Sequence, residues 1–232
     1  MIEHRPFASL GSVDTTWLKA RLHFAFSGMG NPEHRRVRGL RVWNDDEFAP
    51  SSGFPLHQHD DVEIVTYVRE GAITHEDSLG NKERIEAGNL QVMSAGAGIR
   101  HSEFNDEPIP TQLFQIWIDP RHRGGEPRWS TRRFPRGERS GRLATLASGD
   151  AADSEALVIN ADARVLGGSL QAGDTIVHAI PEGSSAYLVT TTGRLILNGL
   201  PLAPRDGAAI TDERQITLTA LDGTEIVLVE VA

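Results

Sequence analysis

Two short segments, His57-Gln58-His59 and His101-Ser102-Glu103, each place two metal-competent side chains at i and i+2. On a strand such residues project from one face. If the two strands lie side by side, three imidazoles and a carboxylate converge on one point. Mixed nitrogen and oxygen ligation without sulfur suits Fe(II), Mn, Co, Ni, Cu or Zn and does not suit Mg or Ca. On an octahedral ion, four protein ligands leave two positions open, which joint binding of an oxygenated substrate and dioxygen requires. Glu63, at i+4 from His59, is expected on the same face and competes with Glu103 as fourth ligand. Its other expected role is to orient an imidazole or to move a proton.

The remaining histidines carry less signal. His75 and Glu76 read as exposed edge residues just past a strand, and His23 as a hydrogen-bonded, partly buried histidine. Trp17, Trp43, Trp117 and Trp129 read as core or interface anchors. Asn44-Asp45-Asp46 reads as a turn.

The elements that would position these residues are strands. Short apolar or alternating runs, such as Val62–Val68, Leu113–Ile118, Ala186–Val189 and Glu225–Val229, are broken at short intervals by Gly, Pro, Asn and Asp. That pattern predicts an all-β sandwich or barrel. Tyr67-Val68-x-x-Gly71, followed by Gly80 and Gly88, is echoed by Leu188-Val189-x-x-x-Gly193, followed by Gly199 and Gly207. The echo predicts two stacked barrels: 1–122, then an arginine-rich linker over 123–150, then 151–232. Counting from the shared glycines puts Ala179 and Pro181 opposite His57 and His59, and Ala220 and Asp222 opposite His101 and Glu103. His178 falls one residue out of register, so the second barrel is expected to lack a metal site.

Composition narrows the class. The chain has 232 residues, 39% hydrophobic and 24% charged, with no cysteine and a net charge of −9. It therefore has neither a disulfide framework nor a thiolate metal site. The acidic balance argues against direct nucleic-acid binding. The opening Met1–Phe7 lacks the layout of a secretion signal, and no apolar run is long enough to span a bilayer, so a cytoplasmic protein without membrane contact is expected. Arg121, Arg123, Arg128, Arg132, Arg133, Arg136, Arg139 and Arg142 form a local basic stretch. It reads either as a solvated connection paired with acidic surface or as a docking patch for an anionic protein partner.

Gly53-x3-His57-x-His59-x3-Glu63-x7-Gly71 is similar to the first cupin motif, and Gly88-x5-Ser94-x-Gly96-x4-His101-x3-Asn105 to the second. Met93–Glu103, Asp77–Asn81 and Phe114–Ile118 resemble the pirin branch, which includes bacterial proteins described as quercetin 2,3-dioxygenases. Gln58 stands where that family usually has proline, and Asp60-Asp61 replaces a basic or glycine-containing pair. The resemblance implies a bicupin of two jelly-roll-like barrels with one metal, Fe(II) foremost, held by His57, His59, His101 and Glu103. It also implies oxygen-dependent opening of quercetin-like flavonols, with Glu103 or Glu63 taking the hydroxyl proton. The alternative it implies is a metal-dependent redox or iron sensor docking on a regulator or enzyme. A non-oxidative cupin such as an isomerase is a third reading, and a monomer is expected.

Overall fold

The computed structural model describes residues 1–134, 137 and 140–232. Among them there is no α-helix, and no helix is long and apolar enough to cross a membrane. Strand β1 (Ile2–Arg5) is followed by β2 (Gly11–Asp14), β3 (Leu18–Leu22), β4 (Leu40–Phe48), β5 (Ser52–His59) and β6 (Glu63–Glu70). Next come β7 (Ala72–Asp77), β8 (Lys82–Glu86), β9 (Asn89–Ser94), β10 (Ile99–Asn105), β11 (Thr111–Ile118) and β12 (Arg128–Arg133). The second half holds β13 (Leu143–Ser148), β14 (Leu157–Val158), β15 (Ala163–Leu170), β16 (Thr175–Ala179) and β17 (Ser185–Thr192). It ends with β18 (Leu195–Leu197), β19 (Leu200–Leu202), β20 (Gly207–Ile210), β21 (Gln215–Ala220) and β22 (Thr224–Val231).

Each half pairs a seven-stranded sheet with a four-stranded one. The first has the orders β12-β9-β6-β11-β4-β3-β2 and β5-β10-β7-β8; the second has β1-β20-β17-β22-β15-β13-β14 and β16-β21-β18-β19. The two barrels share one apolar core, in which Trp43, Tyr67 and Phe114 of the first meet Leu146, Tyr187 and Val227 of the second. This explains why β22 is buried at every position and β6 at its first six. Strands with apolar cover on both faces read as continuous hydrophobic runs, not as alternation.

The connection between barrels is more structured than the expected linker. Arg128–Arg133 forms β12 on the edge of the first large sheet, and Leu143–Ser148 forms β13 in the second. Conversely, β1 leaves the first half and pairs with β20 of the second. Arg121 bonds Asp162 at 2.5 Å and Arg132 bonds Glu155 at 3.0 Å, so two arginines of the basic stretch clip the halves together. Arg136 and Arg139 lie outside the described residues.

Asn44-Asp45-Asp46 is not a turn but the middle of β4. Strand-averse residues are held there by long-range partners: Asp45 accepts hydrogen bonds from Arg69 and, at 2.6 Å, from Arg205 of the second barrel.

The internal repeat is real, but its register differs from the glycine count. His178 pairs with Ile216 across β16 and β21, as His57 pairs with His101 across β5 and β10. Leu197, four residues after Gly193, pairs with Leu218, as His75, four after Gly71, pairs with Glu103. His178, Ile180, Ile216 and Leu218 thus stand where the first barrel has His57, His59, His101 and Glu103. The stretch from Gly207 to Ile216 is shorter than that from Gly88 to His101, and the stretch from His178 to Gly193 is longer than that from His57 to Gly71, which is why both counts slip. Of these four positions, Ile180, Ile216 and Leu218 carry buried apolar side chains. His178 faces inward and meets Glu230 at 2.8 Å.

Candidate metal centre

The register of β5 against β10 sets Ile99 opposite His59 and His101 opposite His57. It then shifts by one, so that Glu103 faces Phe54. The extra residue falls at Pro55-Leu56, where proline has no N–H to lose from the ladder. Gly53 lets the strands approach here, since a Cβ on it would sit 2.2 Å from the Glu103 carbonyl oxygen.

The three imidazoles converge as the spacing requires. Ring centroids are 4.4 Å apart for His57 and His101, 4.7 Å for His57 and His59, and 5.1 Å for His59 and His101. One nitrogen from each lies within 4.8 Å of the others. His57 Nδ1 is 2.8 Å from the Pro55 carbonyl, which can only accept. Its Nδ1 therefore carries the proton, and Nε2 keeps a free lone pair. His59 Nε2 and both nitrogens of His101 are buried without hydrogen-bond partners. Burial first, and then the neighbouring histidines, lowers His59 to about 4 and His101 to about 3. Both rings are neutral at ordinary pH and free to serve as ligands. Orphaned, neutral imidazoles facing one another fit a borderline transition-metal cation and have no other explanation in the fold.

Glu103 is reached from the opposite sheet. Thr66 Oγ1 and Gln91 Nε2 donate to its Oε1 at 3.2 and 2.8 Å, and Gln115 Nε2 donates to Oε2. The glutamines are oriented in turn by tryptophans: Trp129 Nε1 donates to Gln91 Oε1 at 3.0 Å and Trp117 Nε1 to Gln115 Oε1 at 3.1 Å. An indole N–H only donates, so each amide must turn its oxygen to the ring and its NH2 to the carboxylate. Trp117 and Trp129 therefore act through Gln115 and Gln91 on Glu103.

His75 was not expected here. It lies within β7, paired to Glu103 and fully buried, while only Glu76 points to solvent. Its Nε2 meets Asp77 at 3.1 Å, its ring stacks on Trp129, and its Nδ1 has no partner. Together with His101 and Glu103 it forms a second group of ligand atoms within 4.8 Å. The clue was the spacing: His75-Glu76-Asp77 repeats the i, i+2 pattern of the two segments singled out.

Glu63 is not brought to this cluster. Asp61 takes a left-handed φ of 45°, breaking the alternation after His59, and Glu63 starts a strand of the other sheet. It accepts hydrogen bonds from Ser94 Oγ at 2.6 Å and from the Asn160 N–H at 3.0 Å, tying the barrels together. Burial raises its carboxyl above the usual range. His23, also at the seam, is fully buried with Nδ1 2.9 Å from the Tyr187 hydroxyl.

A cavity of about 340 Å³ opens beside the cluster, with His57 and His59 in its wall. Leu18, Leu22, Phe26, Phe54 and Trp117 make it largely apolar.

Two β-barrels around a common core, with a cluster of histidines in one of them that could hold a metal ion, define a bicupin. The family profile described as Pirin matches residues 3–118, and one described as Quercetinase C-terminal cupin domain matches 145–231. The chain is 54% identical to a pirin-like protein of Caulobacter vibrioides, over 100% of both chains. It is 38% identical to the Escherichia coli K12 protein named quercetin 2,3-dioxygenase, over 98% of this chain and 97% of that one. The solved structure of the E. coli pirin YhhW in complex with nickel(II) superposes with a TM-score of 0.93 at 36% identity, covering 100% and 99% of the two chains. This chain belongs to the pirin family.

Proposed function

We propose that the protein is a metal-dependent dioxygenase that opens the heterocycle of quercetin-like flavonols with O2. His57, His59, His101 and Glu103 hold one divalent ion, Fe(II) in our reading, since an N/O ligand set with open positions suits non-haem iron. The observation that carries the proposal is the apolar cavity with two of these histidines in its wall. Its volume falls in the range of about 300–1,000 Å³ typical of small-molecule sites. When bound, the ion supplies Lewis acidity toward an acidic hydroxyl and a redox partner for dioxygen.

The chain's own residues do the rest. Hydrophobic walls exclude water and seat a planar aromatic body against the His57–His59 edge. The Pro55 carbonyl and the Trp–Gln pairs hold the ligands in place. Glu103 is occupied by Thr66, Gln91 and Gln115 and is not in the cavity wall, so we assign it to the ion and not to proton transfer. Glu63 lies outside the cavity and takes no part. One chain supplies every ligand and the whole wall, so a monomer suffices.

The test is incubation of protein loaded with Fe, Ni, Cu, Co or Mn with quercetin, with and without oxygen. Expected is oxygen-dependent loss of the flavonol absorption with release of carbon monoxide. Oxygen-independent bleaching, or none with any metal, refutes the proposal.

A further inference from the structure

Asp45 and Asp46 are adjacent in β4 and both almost fully buried, yet only one of them is accounted for by the fold. Asp45 points to the barrel seam and its two arginines. Successive strand residues face opposite ways, so Asp46 points into the first barrel. There its Oδ1 is buried without a hydrogen-bond partner. Asn44, two residues back and on the same face, leaves its Oδ1 equally unpartnered. Both side chains line the apolar cavity that also holds His57 and His59.

An unsatisfied buried oxygen is destabilising, and an acid with no structural return at such a place calls for a ligand. The other buried acids of this barrel are engaged: Asp77 by Asn81 and Leu79, Glu63 by Ser94, Glu103 by its two glutamines. The geometry points to Asp46 and Asn44 as a polar subsite of the cavity that receives ring hydroxyls of a polyhydroxylated aromatic substrate other than the reacting one. This assignment rests on the reading of the cavity as a flavonol site. It explains why a largely apolar pocket offers acceptors in search of donors. Burial, with Asp45 and Glu103 nearby, raises the Asp46 carboxyl well above its ordinary range against the pull of Arg69.

Calorimetric titration of the metal-loaded protein, kept anaerobic, with quercetin and with 3-hydroxyflavone tests it. The second ligand keeps the reacting hydroxyl and lacks all the others. The wild type should bind quercetin the more tightly. Asp46→Leu should weaken quercetin about tenfold and leave 3-hydroxyflavone within about twofold, as expected for loss of one or two hydrogen bonds. Asp46→Asn, which keeps a donor and an acceptor, should retain most of the quercetin affinity. Asp46→Leu should unfold at the same temperature as the wild type or higher, since it removes a buried unpaired acid. Equal losses for both ligands, or no loss for either, would overturn the subsite while leaving the flavonol reading intact. Failure of the wild type to bind either ligand would overturn the flavonol reading and the subsite with it.

Discussion

Acidification of the metal-free protein should weaken it, with His101 responsible for a measurable share. In the folded chain this ring is lowered to about 3, chiefly by burial and then by His57 and His75. In the unfolded chain it titrates near ~6.5. The folded state therefore prefers the neutral ring. The resulting stability is fully present above pH ~6.5 and is lost as the pH falls from there toward the folded value. At pH 5 the ring has forfeited about 1.5 units at about 1.36 kcal/mol each, or roughly 2 kcal/mol. His59, lowered to about 4 by burial and by His101 and His57, works in the same direction, but its greater solvent contact reduces its share. The assay is urea unfolding of chelator-treated protein at pH 7 and pH 5, for wild type and His101→Gln. The variant cannot take up that proton, so its loss between the two pH values should be smaller by about 2 kcal/mol. Parallel losses would refute the claim that the buried ring is kept neutral by its surroundings.

Other outcomes follow from the same geometry. Gln91→Leu and Trp129→Phe, which break the bonds that aim an amide at Glu103, should lower metal affinity by about 10–100-fold in a chelator competition. Gly53→Ala puts a methyl 2.2 Å from the Glu103 carbonyl oxygen, and thermal or urea unfolding should show about 1–3 kcal/mol of destabilisation. His178→Ala should leave metal stoichiometry at one per chain by elemental analysis, because the second barrel's matching positions are otherwise apolar.

Much of this was legible in the residues. His57, His59 and His101 meet because i, i+2 spacing on paired strands leaves little choice, and the recurring glycines announced the duplication. What failed did so where counting crosses a turn. Glu63 was carried through Asp60-Asp61-Val62 as though the strand continued, whereas the left-handed Asp61 reverses the chain. The second barrel's matching residues were displaced by turns of unequal length. His75 was missed because burial depends on β7 lying between β10 and β8, and neighbours in a sheet are not written in local sequence. Asn44-Asp45-Asp46 has the composition of a turn, and only arginines far along the chain and a cavity make it a strand.

Strand β1 has its hydrogen-bonding partner at Gly207–Ile210. During translation β1 must wait for a strand far along the chain, roughly 10–40 s at ~5–20 residues per second. Until then its ladder groups are open to any passing chain. A product truncated before Gly207 would leave that stretch without its partner strand.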